Sequence, residues 1–178
     1  LFCRHLDWHF CQQEQSWTWQ TTREDEKVRW NLLADLPLCH IPLANAATAL
    51  AAVQKLPFKI SLETVKKSLL EVELTGRFQM MKPASLTHFA QMVQREVEAL
   101  PRMIIDVGHN PHAARYLAEK LTALKAQSQG KLIAVCGILK DKDAAGVLTP
   151  LLPLVDEWRC VTLGGYRGQE GEALLFTL

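Results

Sequence analysis

At 178 residues the chain is long enough to bury a sizeable core, as one large domain or as parts of two. An apolar fraction of 48% and a charged fraction of 22% are ordinary for a soluble globular protein, and a net charge of +1 provides no long-range field for nucleic acid. No apolar run nears the roughly 20 residues that span a bilayer, and no basic segment followed by an apolar one reads as a secretory signal.

Residues 1–35 show period-2 alternation. Leu6, Trp8 and Phe10 alternate with Asp7 and His9, and Trp17 and Trp19 with Thr18 and Gln20, which predicts half-buried strands. The polar stretch 21–27 reads as a turn and 28–33 as a third strand. Pro37 and Pro42 then bracket a change of period. Ala46, Ala47, Leu50, Ala51 and Val53 share one face of a helix with Asn45 at its N-cap, ending by Pro57. A second helix is expected from the cap Ser61 to about Glu73, with Val65, Leu69 and Val72 facing inward.

The peptide Leu74-Thr75-Gly76-Arg77-Phe78-Gln79 breaks that helix, and the domain boundary is expected near Gly76. Strands predicted at 77–82, 102–107, 131–136 and 157–163 alternate with helices at 111–126 and 141–152. That order predicts an α/β unit with a largely parallel sheet. Residues 85–100 are expected to hold a short amphipathic helix through Phe89, Met92, Val93 and Val97. Cys3, Cys11, Cys39, Cys136 and Cys160 are odd in number and form no C-x-x-C pair, which predicts reduced thiols in a cytoplasmic protein. The chain starts at Leu1 without a methionine and stops at Leu178 within a helical-looking stretch, so it is expected to be a fragment.

The most informative run is Met103-Ile104-Ile105-Asp106-Val107-Gly108-His109-Asn110-Pro111-His112-Ala113-Ala114. A buried-type strand ends at Asp106, and a helix starts with Asn110 as cap and Pro111 at its first position. Ala114, Leu117, Leu121 and Leu124 then line one face. This strand–turn–helix places polar side chains at the carboxyl edge of a sheet, where α/β folds bind ligands, and the helix start favours an anion. Taken alone, an acidic residue at a strand end and a solvated histidine define no activity.

Four segments in order sharpen the reading: Pro42 to Ala52, Gly76-Arg77-Phe78-Gln79, Asp106 to Ala114, and Gly137-Ile138-Leu139-Lys140-Asp141-Lys142-Asp143. Together they resemble the folylpolyglutamate synthase/dihydrofolate synthase family of the Mur ligase superfamily, well over residues 36–178 and loosely over 1–35. D-x-x-H-N-P-H-A-A and G-R-F-Q are the specific motifs. The resemblance implies an α/β fold. Residues 1–75 would be the end of a Mur-ligase-type central ATP-binding domain, a β-rich segment plus two helices. Residues 76–178 would be an incomplete, Rossmann-like C-terminal glutamate ligase domain.

The same resemblance implies that Asn45, Arg77 and Asp106 contact ATP around its adenine and ribose. It places His109, as the catalytic candidate, near the phosphates or the incoming glutamate. Arg77 would lie in the interdomain linker. Lys142 is a candidate anion contact, weighed against a solvated lysine whose aspartate neighbours cap a helix. The implied reaction is ATP-dependent ligation of L-glutamate to dihydropteroate or a folate, by a cytoplasmic monomer without nucleic-acid or membrane partners.

The sequence departs from the family in several places. No G-x-x-x-x-G-K-[ST] occurs, and the magnesium ligands and modified lysine of the family's N-terminal domain have no counterpart. Mg2+ ligands are therefore expected outside the fragment, with none in it, and the fragment alone is expected to be inactive. Thr75 stands where the family usually has proline, and 85–100 reads as an insertion. The alternatives are another Mur-superfamily amino-acid ligase and a non-catalytic α/β binding domain. A zinc site at Cys3, His5, His9 and Cys11 is disfavoured, because those positions along a strand span more than one tetrahedron. A dinucleotide oxidoreductase is disfavoured because no G-x-G-x-x-G follows a predicted strand.

Overall fold

The computed structural model describes residues 2–23 and 29–178 and separates the chain into two compact units, Leu1–Thr75 and Gly76–Leu178. In the first unit β1 (Trp8–Gln12), β2 (Ser16–Thr21) and β3 (Leu32–Pro37) form an antiparallel sheet in that order. The alternation of tryptophans does what its period demands: Trp8, Trp17 and Trp19 all point into the core and are at most 3% exposed. The third strand lies four residues later than the alternation suggests, and most of the predicted turn falls outside the described residues. The reason is a bulge. Trp17 pairs with Leu36 and Trp19 with Leu33, so three steps on β3 oppose two on β2. Asp35 sits there at φ 51°, and the buried residues Leu33 and Leu36 lose the period of 2.

Two helices cover this sheet's inner face. α1 (Leu43–Val53) buries Ala46, Ala47, Leu50 and Ala51, the face expected from spacing. Its N-cap is Pro42, however, and Asn45 is an exposed residue of the first turn rather than the cap. α2 (Leu62–Glu71) is capped by Ser61, whose hydroxyl accepts from Thr64 N–H, and buries Val65 and Leu69. The small side chains of α1 let it approach closely enough for Trp19 Nε1 to donate to Ala47 O at 3.1 Å.

In the second unit β4 (Gln79–Met80) pairs antiparallel with β5 (Ile104–Ile105), and β6 (Ile133–Cys136) pairs parallel with β7 (Glu157–Cys160). The expected largely parallel sheet is thus two short ribbons among the described residues, of which one is parallel. An apolar cleft of about 540 Å³ separates β5 from β6 and is floored by Leu117, Leu121 and Leu124 of α4 (Pro111–Ala126). Ile105 and Val135 are 44% and 72% exposed, so β5 is not the buried strand that its composition suggests.

α3 (Pro83–Met92) fills part of the 85–100 segment but buries Leu86 and Ala90, while Phe89, Met92 and Val93 stay exposed. Leu86 and Ala90 are not among the residues expected to mark its buried face. α5 (Ala144–Leu148) is shorter than predicted because Pro150 removes a backbone donor, and the chain continues as a 3₁₀ turn over Thr149–Leu151. α6 (Gly171–Leu175) closes the unit and buries Leu174 beside Ala114, Ile138, Val147 and Leu148. Among the described residues no helix is long and apolar enough to cross a membrane.

Candidate functional site

The site candidates of the second unit converge on the end of β5. Asp106 is the first residue after the strand, and its two carboxylate oxygens face different segments. Oδ1 accepts from Gly108 N–H at 2.6 Å, which folds the turn into α4. Oδ2 accepts from Phe78 N–H at 2.8 Å, which holds the residue next to Arg77 against the strand end. Val107 N–H donates to Gly76 O at 2.8 Å and adds a further tie. Arg77 therefore sits on a turn bound to the second unit, and its side chain is exposed. Its guanidinium makes no hydrogen bond or ion pair among the described residues.

The backbone of this turn is strained. Gly76 has φ 70° and Phe78 φ 42°. Glycine takes that conformation freely, whereas a left-handed Phe costs about 1–2 kcal/mol, so its hydrogen bond to Asp106 offsets a real penalty. Gln79 supplies the last closure, its Oε1 accepting from Gly76 N–H at 2.9 Å.

α4 begins beside this turn. Asn110 caps it, its Oδ1 accepting from Ala113 N–H at 2.9 Å, with Pro111 at the first helical position, both as the motif predicts. His109 is exposed, and its Nδ1 lies 3.1 Å from Val107 O, a hydrogen bond when Nδ1 carries the proton. Nε2 then remains available as an acceptor.

The Asp141–Lys142–Asp143 segment is brought next to the start of α4. A Cβ on Gly146 would lie 2.7 Å from Pro111 Cγ and would collide with the Asp143 carboxylate, so only glycine permits this approach. Asp143 caps α5 through Gly146 N–H at 2.9 Å. Lys142 is partly buried, with Nζ 3.8 Å from Asp141 Oδ2. Arg167, from the loop after β7, grips the same carboxylate at 3.0 and 3.2 Å. That hydrogen bond, before Lys142, holds Asp141 below the usual carboxylate range. Nothing local in the sequence marks Arg167, which reaches Asp141 from 26 residues away.

Asn45 lies on α1 in the first unit, exposed on the helix's outer face. Among the described residues no three His, Cys, Asp or Glu side chains gather as a metal site would require.

An exposed cation on a clamped turn, a strand-end carboxylate and a capped helix start are the parts of an α/β ligand edge. Comparison with known proteins gives that edge its likeness. Residues 90–176 match the model of the Mur ligase glutamate ligase domain. Over nearly its whole length the chain is similar to dihydrofolate synthase/folylpolyglutamate synthases. The Haemophilus influenzae enzyme of that name is 59% identical over 172 residues, 97% of this chain and 38% of the relative. A solved E. coli FolC in complex with DHPP and ADP is 35% identical, with a TM-score of 0.74 over 98% of this chain and 36% of its own. A bifunctional folylpolyglutamate synthase/dihydrofolate synthase with Mn, AMPPNP and L-glutamate bound is 38% identical at the same TM-score and shares. The chain thus spans about a third of the length of the relatives it matches.

Proposed function

We propose that this chain is the glutamate ligase domain and the end of the ATP-binding domain of a dihydrofolate/folylpolyglutamate synthase, divided near Gly76. In this reading Asn45, Arg77 and Asp106 bind the nucleoside of ATP. The observation that carries it is Arg77, exposed and unpaired among the described residues, on a turn that Asp106 ties to the end of β5. The planar guanidinium suits stacking on a purine or pairing with ribose and phosphate oxygens. His109 and Lys142 flank the start of α4, where the helix dipole favours the transferred phosphoryl group or the glutamate carboxylates.

The reaction is ATP-dependent. A carboxylate of dihydropteroate or of a folate's last glutamate attacks the γ-phosphorus, and ADP leaves. The glutamate amine then attacks the acyl phosphate carbon, and inorganic phosphate leaves with formation of the amide. Activation is required because a carboxylate is a poor electrophile. His109 Nε2, with Nδ1 hydrogen-bonded to Val107 O, is suited to take the proton that the glutamate ammonium group loses before its amine attacks. The 178 residues contain no glycine-rich phosphate loop, so by themselves they ligate no glutamate.

The test is kinetic. In an intact ligase containing this sequence, Arg77→Ala and Asp106→Ala each raise the KM for ATP by about tenfold or more, the usual worth of a charged hydrogen bond. The 178-residue chain alone releases no ADP in response to glutamate. Unchanged ATP kinetics in both variants would overturn the assignment.

A further inference from the structure

Arg77 is flanked by two backbone amides, and each is captured by a side-chain oxygen. On one side Gly76 N–H donates to Gln79 Oε1 at 2.9 Å; on the other Phe78 N–H donates to Asp106 Oδ2 at 2.8 Å. Both residues beside Arg77 have positive φ, 70° and 42°, so the turn is one that an unrestrained chain leaves readily. Gln79 is half-buried and belongs to β4, where it pairs with Ile105, one residue before Asp106. The two oxygens are therefore set by the same short ribbon, and they hold the amides on either side of Arg77 in the chain. The side chain between them is exposed and unpaired among the described residues.

We infer that Gln79 is a positioning residue for the nucleotide. It forms with Asp106 a two-sided clamp that fixes the backbone on either side of Arg77 and so presents the guanidinium in one orientation. This rests on the nucleotide reading of Arg77 given above. Gly76 O accepts from Val107 N–H, so the turn that carries Arg77 is tied to the second unit. Asp106 thereby carries a second task, holding Phe78 N–H, besides any contact with the ribose.

A double-mutant cycle on ADP affinity, with amide exchange at Gly76 and Phe78 as a local readout, tests the clamp in an intact ligase containing this sequence. Gln79→Met keeps the length of the side chain and removes the acceptor; Gln79→Glu keeps an acceptor oxygen. Gln79→Met is expected to weaken ADP binding about three- to tenfold, the range of one lost hydrogen bond, and to speed exchange at Gly76. Gln79→Glu is expected to restore both. In an Arg77→Ala background Gln79→Met is expected to add nothing, because its effect passes through Arg77. An equal loss in both backgrounds would mean that Gln79 acts on folding alone, and would overturn the inference. Unchanged exchange at Gly76 in Gln79→Met would overturn the clamp itself. Failure of the nucleotide reading shows separately, as an ADP affinity that Arg77→Ala leaves unchanged. That result removes the presentation role, and exchange still decides the clamp.

Discussion

Gly76 shows how much one residue decides in this site. A Cβ there would lie 2.9 Å from Val107 Cγ1, on a backbone already at φ 70°. Gly76→Ala therefore meets both a steric and a conformational penalty, and is expected to cost about 1–3 kcal/mol. Val107→Ala removes the clash but not the dihedral penalty, so the double variant is expected to recover only part of that loss, as read by urea midpoints. Full recovery would mean that the positive φ carries no cost. The neighbouring motif residues were only partly legible in the sequence. Asn110 and Pro111 take the positions that helix-start chemistry dictates, because those signals are local. Asn45 does not cap α1, because Pro42 starts the helix three residues earlier with its own fixed φ. Arg167 carried no local signal, since it acts on a partner that only folding supplies, whereas Gln79 stood within the G-R-F-Q motif without a role of its own.

Among the elements, the three tryptophan positions of β1 and β2 organise the first unit. Trp19 is fully buried, stacks against Trp8 with ring centroids 6.2 Å apart and donates to Ala47 O. Trp19→Phe removes the indole donor to that carbonyl and shrinks a fully buried side chain, and is expected to destabilise the unit by about 2–3 kcal/mol. Ala47→Ser, at a position with no measurable exposure, is expected to be damaging by overpacking rather than by the lost bond. Guanidinium unfolding followed by tryptophan fluorescence measures both, and an unaffected Trp19→Phe would show that the indole hydrogen bond contributes nothing. The strands with clean alternation were readable, because period 2 reports a pleat directly. β3 was not, because its bulge at Asp35 interrupts the period. The inward face of α3 was misread for a related reason. A three-turn helix with apolar residues on two sides leaves the choice of face to what it packs against.

On the scale of the whole chain, the parallel ribbon of the second unit sets Cys136 opposite Cys160, with their sulfurs 3.9 Å apart. Burial first, and then the neighbouring Cys160, push the Cys136 thiol up to about 12 from its ordinary 9.0. The unfolded chain then ionises this thiol while the folded chain keeps the proton, so stability is complete below about pH 9 and declines as pH rises towards 12. Cys136→Ala is expected to flatten that part of the stability–pH curve, and Cys136 is expected to alkylate far more slowly than the exposed Cys11. Equal alkylation rates at pH 8.5 would contradict the assignment.

The sequence by itself determined the class of the chain and the chemistry of its motifs. Helix starts, the tryptophan alternation and the order of G-R-F-Q before D-x-x-H-N-P-H-A-A are written in neighbouring residues. Only the tertiary structure decided which strands pair, which face of α3 is buried, and that Arg77 belongs to the second unit through Asp106 and Gln79. Those outcomes depend on contacts between residues tens of positions apart, such as Phe78 with Asp106 and Asp141 with Arg167, and no local pattern encodes a partner that distant.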